Sequence, residues 1–184
     1  MRPRRGLRNR FDSGVHPDGQ PRPISQQRDY YLATDATMRD RADARMAVLL
    51  ETYDGERVGA WTRQQAAVDN NAAEFDALRW GVDLLEPRIP PGASLGVLLD
   101  HEGLAKGVAA TVSGAGRTPP VGSIRARDWS GLRHSLATRE DVQVVEIASE
   151  ENPAHQLLAG PGPVERPDRC VIPSSTGRHR VEQT

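Results

Sequence analysis

Leu95-Gly96-Val97-Leu98-Leu99-Asp100 is a near-continuous apolar run that stops on a carboxylate. A run of this kind reads as a strand buried on both faces, as the central strand of a parallel sheet is. Such a strand needs helices to cover it and crossovers to reach its parallel neighbours.

The surrounding pattern supplies both. Residues 30–37 are rich in β-formers and end in Thr-Asp-Ala-Thr, residues 45–51 are a second strand, and residues 57–62 are a third. Tyr53-Asp54-Gly55-Glu56 between the last two is a hairpin turn signal. Residues 69–86 form the best helix of the chain, with Asp69, Asn70 or Asn71 as its cap and Pro87 just past its end. Residues 101–112 are a short helix, 113–124 a Gly/Pro loop and 127–138 a helix carrying Trp129, Leu132 and Leu136. Residues 142–147 are a fifth strand and 152–159 a last short helix. The order β-β-β-α-β-α-α-β-α predicts an α/β fold. Its five-stranded mixed sheet has three antiparallel strands, then two parallel to the first, and is flanked by helices. Trp61 and Trp80 are expected in the core.

Composition bounds the ends. Hydrophobic residues make up 37% of the 184, low for a chain that packs throughout, and the deficit lies at the termini. Residues 1–28 carry Arg2, Arg4, Arg5, Arg8, Arg10 and Arg22 among Pro and Gly and read as a disordered basic arm. Residues 161–184 are Pro-rich and aperiodic and read as a second tail, leaving a domain over 29–160. A net charge of −1 excludes a uniformly basic nucleic-acid coat. One cysteine, Cys170, excludes an intrachain disulfide and a cysteine-rich zinc site. No apolar run reaches membrane-spanning length and the basic N-terminus lacks the apolar segment of a secretory signal. No membrane partner and a cytoplasmic location are the expectations.

Three acids stand out. Asp35 ends or nearly ends the first strand and Asp100 ends the fourth, and ligands of open α/β sheets bind beyond the carboxyl ends of parallel strands. On the 69–86 helix, Asp76, Arg79, Asp83 and Glu86 form one polar face. Glu74 lies off it, on the stripe of Leu78, Gly81 and Leu85 that faces the sheet. A carboxylate there is costly unless paired, metal-bound or at a wet edge. Each acid also has an ordinary reading, as a strand-end turn cap or a first-turn helix cap. Taken together they suggest a shared cation, and all-oxygen ligands suit Mg²⁺ or Mn²⁺.

Four stretches of this pattern resemble type 1 ribonuclease H and the reverse-transcriptase-like ribonuclease H domains. Thr34-Asp35-Ala36-Thr37 resembles the T-D-G-S first strand. Asn70-Asn71-Ala72-Ala73-Glu74-Phe75-Asp76-Ala77-Leu78 resembles the T-N-N-x-A-E-x-x-A-[LI] helix start, the most specific match. Leu98-Leu99-Asp100-His101 resembles the fourth-strand [IV]-x-[TS]-D-S, and Ala154-His155-Gln156-Leu157 the final A-[DH]-x-L-A helix. The resemblance spans about residues 29–159. It implies a ribonuclease H-like fold and a metal-dependent endonuclease that cuts the RNA strand of RNA–DNA hybrids. In the family four acids hold two divalent cations; Asp35, Glu74 and Asp100 match three of them as metal and catalytic residues. It also implies nucleic-acid contacts by Asn70 and Asn71.

This chain departs from the pattern twice. The fourth acid is replaced, by His155 on the match of Ala154 and Leu157, or by Gln156 if Asn152 sets the register. The family's V-x-G-H-x-G loop is here the shorter Ile147-Ala148-Ser149-Glu150-Glu151-Asn152, without histidine. His101 or His155 are candidates to replace that histidine, and Glu150 or Glu151 to restore a carboxylate. Arg117, Arg125, Arg127 and Arg133 lie where some members carry a basic substrate-binding protrusion. They read either as a grip on the DNA strand with Trp129, or as a solvated face over a core tryptophan. Two other functions stay open: a nucleic-acid-binding module with reduced or lost catalysis, and a nuclease of other substrate range on the same fold.

Overall fold

The computed structural model describes residues 6–17, 27–40, 42–114 and 121–160. The expected tail over 161–184 lies outside the described residues, as do Arg117 and residues 1–5 and 18–26 of the expected arm.

The first element corrects the sequence reading. Residues 6–17 are not an unstructured arm: Leu7–Ser13 is a helix, α1, with Leu7 and Phe11 buried. Two apolar residues one turn apart among arginines are too few to register as a period. The helix is held by tertiary packing and not by its own propensity. Phe11 meets Tyr31 edge-on at 5.3 Å, and the Leu7 N–H donates to the buried Glu51 Oε2 at 2.8 Å.

Next comes a meander of β1 (Tyr30–Asp40), β2 (Asp43–Thr52) and β3 (Arg57–Ala66). The expected turn closes it, with Gly55 N–H donating to the Thr52 carbonyl at 3.0 Å. Helix α2 (Asn70–Leu85) is capped by Asp69, whose side chain accepts from Ala72 N. It leads to β4 (Leu95–Leu99), α3 (Glu102–Ser113), α4 (Ala126–Leu136) and β5 (Val142–Glu146). A single 3₁₀ turn (Ser149–Glu151) and α5 (Pro153–Ala159) finish the described chain. The strand order is β3-β2-β1-β4-β5, with β1 antiparallel to β2 and parallel to β4, and β4 parallel to β5. This is the mixed sheet expected from the sequence.

The sheet carries a core on each face. Helices α2, α3 and α4 cover one, over Leu32, Val48, Leu50, Val97 and Val144. Helices α1 and α5 cover the other, over Tyr31, Ala33, Leu49, Leu98 and Val145. Gly81 brings α2 down onto the sheet: a Cβ there would stand 3.0 Å from the Thr34 methyl. That close approach sets the depth at which Glu74, two turns earlier, meets β1. Trp129 is a core residue, edge-on to Phe75 at 5.0 Å and packed over Gly107, so it does not grip a ligand. Trp80 is buried under Arg63. Trp61, expected inside, is only partly buried, with the Arg88 guanidinium 4.9 Å from its ring centroid.

Candidate metal centre

The parallel pairing of β1 with β4 runs from Tyr30–Leu95 to Ala33–Leu98 and stops. Beyond it β1 continues with β2 alone, Asp35 opposite Ala47, while β4 ends at Leu99. The sheet therefore splits midway along β1 and at the carboxyl end of β4, so Asp35 does not end its strand as the sequence suggested but lies inside it, where the pairing with β4 has already stopped. Asp35 and Asp100 stand on either side of the split, each just past the last pair. This is the crevice that chain reversal creates in an open α/β sheet. Glu74 enters it from the first turns of α2. Carboxylate oxygens of Asp35, Glu74 and Asp100 all lie within 4.8 Å of one another. Asp35 and Glu74 are buried and Asp100 is half-buried.

Three carboxylates this close cannot all carry charge unaided. Burial, and next the charge of Asp100, push Asp35 up to about 6, against a pull downward from His155. Burial, then Asp35 and Asp100, push Glu74 up to about 9. At neutral pH the unaided cluster thus keeps a proton on Glu74. A divalent cation removes that need by supplying the missing positive charge. The donor set, all oxygen and partly open to solvent through Asp100, fits Mg²⁺ or Mn²⁺ and not zinc.

The surrounding residues orient these acids. His155 Nδ1 lies 2.7 Å from Asp35 Oδ2. When Asp35 is ionised, Nδ1–H donates to it, and the ring is 55% exposed. Gln156 instead lines a groove on the α1 side with Arg10, Glu51 and Arg57. Of the two candidates for the fourth position, the fold brings His155 to the carboxylates and turns Gln156 away. Ser149 Oγ donates to Asp100 Oδ2 at 2.5 Å. Asn152, fully buried, donates from Nδ2 to the Thr34 carbonyl at 2.9 Å and caps α5 through Oδ1. The hydrogen-bonding roles of Ser149 and Asn152 are not evident in the sequence. Their partners lie far away in the chain, and only a hydroxyl just past the fifth strand and an Asn before Pro153 hinted at them.

Other candidates are placed less centrally. Glu150 and Glu151 are exposed and outside the carboxylate group. Both ring nitrogens of His101 are engaged: Nδ1 accepts from Leu104 N at 3.2 Å, and Nε2–H donates to Asn71 Oδ1 at 2.8 Å. It is therefore a cap and a prop for Asn71, not a free base. Asn70 is exposed at the start of α2, and Asn71 packs against Gly122. Gly122 lies just ahead of Arg125 and Arg127, both exposed at the start of α4. Asn70, Asn71 and these arginines thus belong to one stretch of surface beside the start of α2.

No family model matches the chain, and no curated protein matches it by sequence. Solved structures do. The ribonuclease H1 of the halophilic archaeon Halobacterium salinarum NRC-1 superposes with a TM-score of 0.57 at 18% identity, over 70% of this chain and 92% of that one. The domain has the ribonuclease H-like fold. LC11 ribonuclease H1, solved in complex with an RNA/DNA hybrid, superposes on this ribonuclease H-like domain with a TM-score of 0.55 at 19% identity, over 70% and 92% of the two chains. Foamy viral protease–reverse transcriptase, also solved with an RNA/DNA hybrid, gives 0.56 at 13% identity, over 74% of this chain and 21% of that one. Among the described residues no helix is long and apolar enough to cross a membrane.

Proposed function

We propose that this ribonuclease H-like domain is a divalent-metal-dependent endonuclease that hydrolyses the RNA strand of RNA–DNA hybrids. The convergence of Asp35, Glu74 and Asp100 at the split between β1 and β4 carries the reading. These three residues would hold Mg²⁺ or Mn²⁺, as two ions by the family resemblance. When bound, the cations supply positive charge to the phosphoryl group and the leaving oxygen and make a nearby water more acidic. The chain's own residues do the rest. Asp35 and Asp100 are aimed by His155 and Ser149, and Glu74 gives up its proton as the cluster charges. With Nδ1–H on Asp35, a neutral His155 would present Nε2 at the rim to orient a water or take its proton. Asn70, Asn71, Arg125 and Arg127 would follow the hybrid, with RNA distinguished by its 2′-hydroxyls and helix shape.

One observation favours a second reading, a hybrid-binding domain with reduced or lost turnover: an imidazole, and not a fourth carboxylate, joins Asp35, Glu74 and Asp100. A single experiment separates the two. Labelled RNA–DNA hybrid, duplex DNA and single-stranded RNA are each incubated with the protein and Mg²⁺ or Mn²⁺. The proposal predicts cleavage of the hybrid's RNA strand alone, faster with Mn²⁺ because imidazole is a better partner for it than for Mg²⁺. Binding without cleavage under both metals supports the second reading, and equal cutting of duplex DNA a nuclease of other range.

A further inference from the structure

The strap from β5 into α5, residues 147–155, touches two of the three clustered carboxylates. Ser149 donates to Asp100, and His155 meets Asp35. Asn152 pins its middle to the Thr34 carbonyl, one residue before Asp35. Between the buried Ile147 and Asn152 the strap is open to solvent, with Ala148, Ser149, Glu150 and Glu151 exposed, and His155 is exposed beyond the buried Ala154. Segments of this kind open locally unless something outside them holds them.

Helix α1 stands behind the strap and holds it along its length. Before the strap begins, Val15 and Glu146 exchange two backbone hydrogen bonds of 2.8 Å. In its middle, Arg10 Nη1 donates to the Glu151 carbonyl. At its flanks, Leu7 and Phe11 share one buried cluster with Ile147, Ala154 and Leu158. Helix α1 is tied to the sheet in turn by Glu51, which accepts from Leu7 N.

We propose that residues 7–15 are a positioning element for the carboxylate cluster, with Arg10 a positioning residue that acts through the Glu151 carbonyl on Ser149 and His155. The proposal rests on the cation-site reading of Asp35, Glu74 and Asp100. Its physical basis is the mutual repulsion of the three acids, which spreads them apart unless outer hydrogen bonds hold them in register. Arg10 touches none of the acids, so its influence passes through the strap.

The test uses the full chain and Mn²⁺ alone. Mn²⁺ affinity is measured by the resonance signal of free Mn²⁺ for the parent, Arg10→Ala and Arg10→Lys, alongside amide hydrogen exchange. Arg10→Ala is expected to weaken Mn²⁺ binding by about fivefold, below the tenfold or more typical when a direct partner of a ligand is lost. Exchange should quicken at residues 148–155 while β1 and β4 keep their protection. Arg10→Lys, which keeps a donor for the carbonyl, should recover most of the affinity. Unchanged affinity in Arg10→Ala overturns the proposal. So does weaker binding with uniformly faster exchange across the sheet, which reports general destabilisation. If the parent chain itself binds no Mn²⁺, the cation-site reading fails and takes this proposal with it. A binding parent with an indifferent Arg10 sinks the positioning role alone.

Discussion

Asp35→Asn is expected to abolish hybrid cleavage and, in the absence of metal, to make the protein more stable. The two effects have one origin. Asp35 is buried between Glu74, Asp100 and His155, and its charge is unwelcome until a cation arrives. Asparagine keeps the shape and still accepts from His155 Nδ1, but removes the repulsion. Cleavage should fall by about a thousandfold or more, roughly 4 kcal/mol of transition-state stabilisation. Stability at pH 8 without metal should rise, because the folded chain no longer holds a carboxylate whose charge is disfavoured by burial and by Asp100. Heating in chelator should show it as a higher Tm, by about 2–4 °C for each kcal/mol gained in a chain of this size. Loss of activity together with loss of stability would point to a structural role for Asp35.

Stability should also respond to pH and to divalent cations in a linked way. Asp35 is raised from 3.8 to about 6, and Glu74 from 4.5 to about 9. Between each pair of values the folded chain holds a proton that the unfolded chain has released. Raising the pH through that window therefore favours unfolding. The metal-free protein should lose stability progressively from about pH 4 to about pH 9. A bound cation takes the place of those protons, so its stabilising effect should grow with pH. Thermal unfolding in chelator and in excess Mn²⁺ at pH 5.5, 7 and 8.5 tests this. The expected result is a small metal-dependent rise in Tm at pH 5.5 and a large one at pH 8.5. A gap independent of pH would mean that the ions bind elsewhere.

Glu74 was the most legible site residue in the sequence, because it broke the separation of polar and apolar faces on an otherwise regular helix. Asp35 and Asp100 were legible as acids at the ends of apolar runs, and strand pairing then set them side by side. The choice between His155 and Gln156 was not. Neighbouring residues on a helix point about 100° apart, and only the seating of α5 on the sheet decides which one faces Asp35. Ser149 and Asn152 were hidden for a related reason: each acts through one hydrogen bond across a long stretch of chain. Helix α1 was hidden because its charge pattern resembles that of a disordered arm, while its order comes from the cavity that Leu7 and Phe11 fill.

Asp35, Glu74 and Asp100 are proposed to form one cation site at the sheet split. Titration of Mn²⁺ into the full chain at pH 8, with heat and proton release recorded together, tests this directly. Saturable binding that releases protons is expected, as Glu74 and its neighbours give up theirs. Glu74→Gln should weaken the binding and remove most of that release. Binding that releases no protons and is indifferent to Glu74→Gln would contradict the shared site.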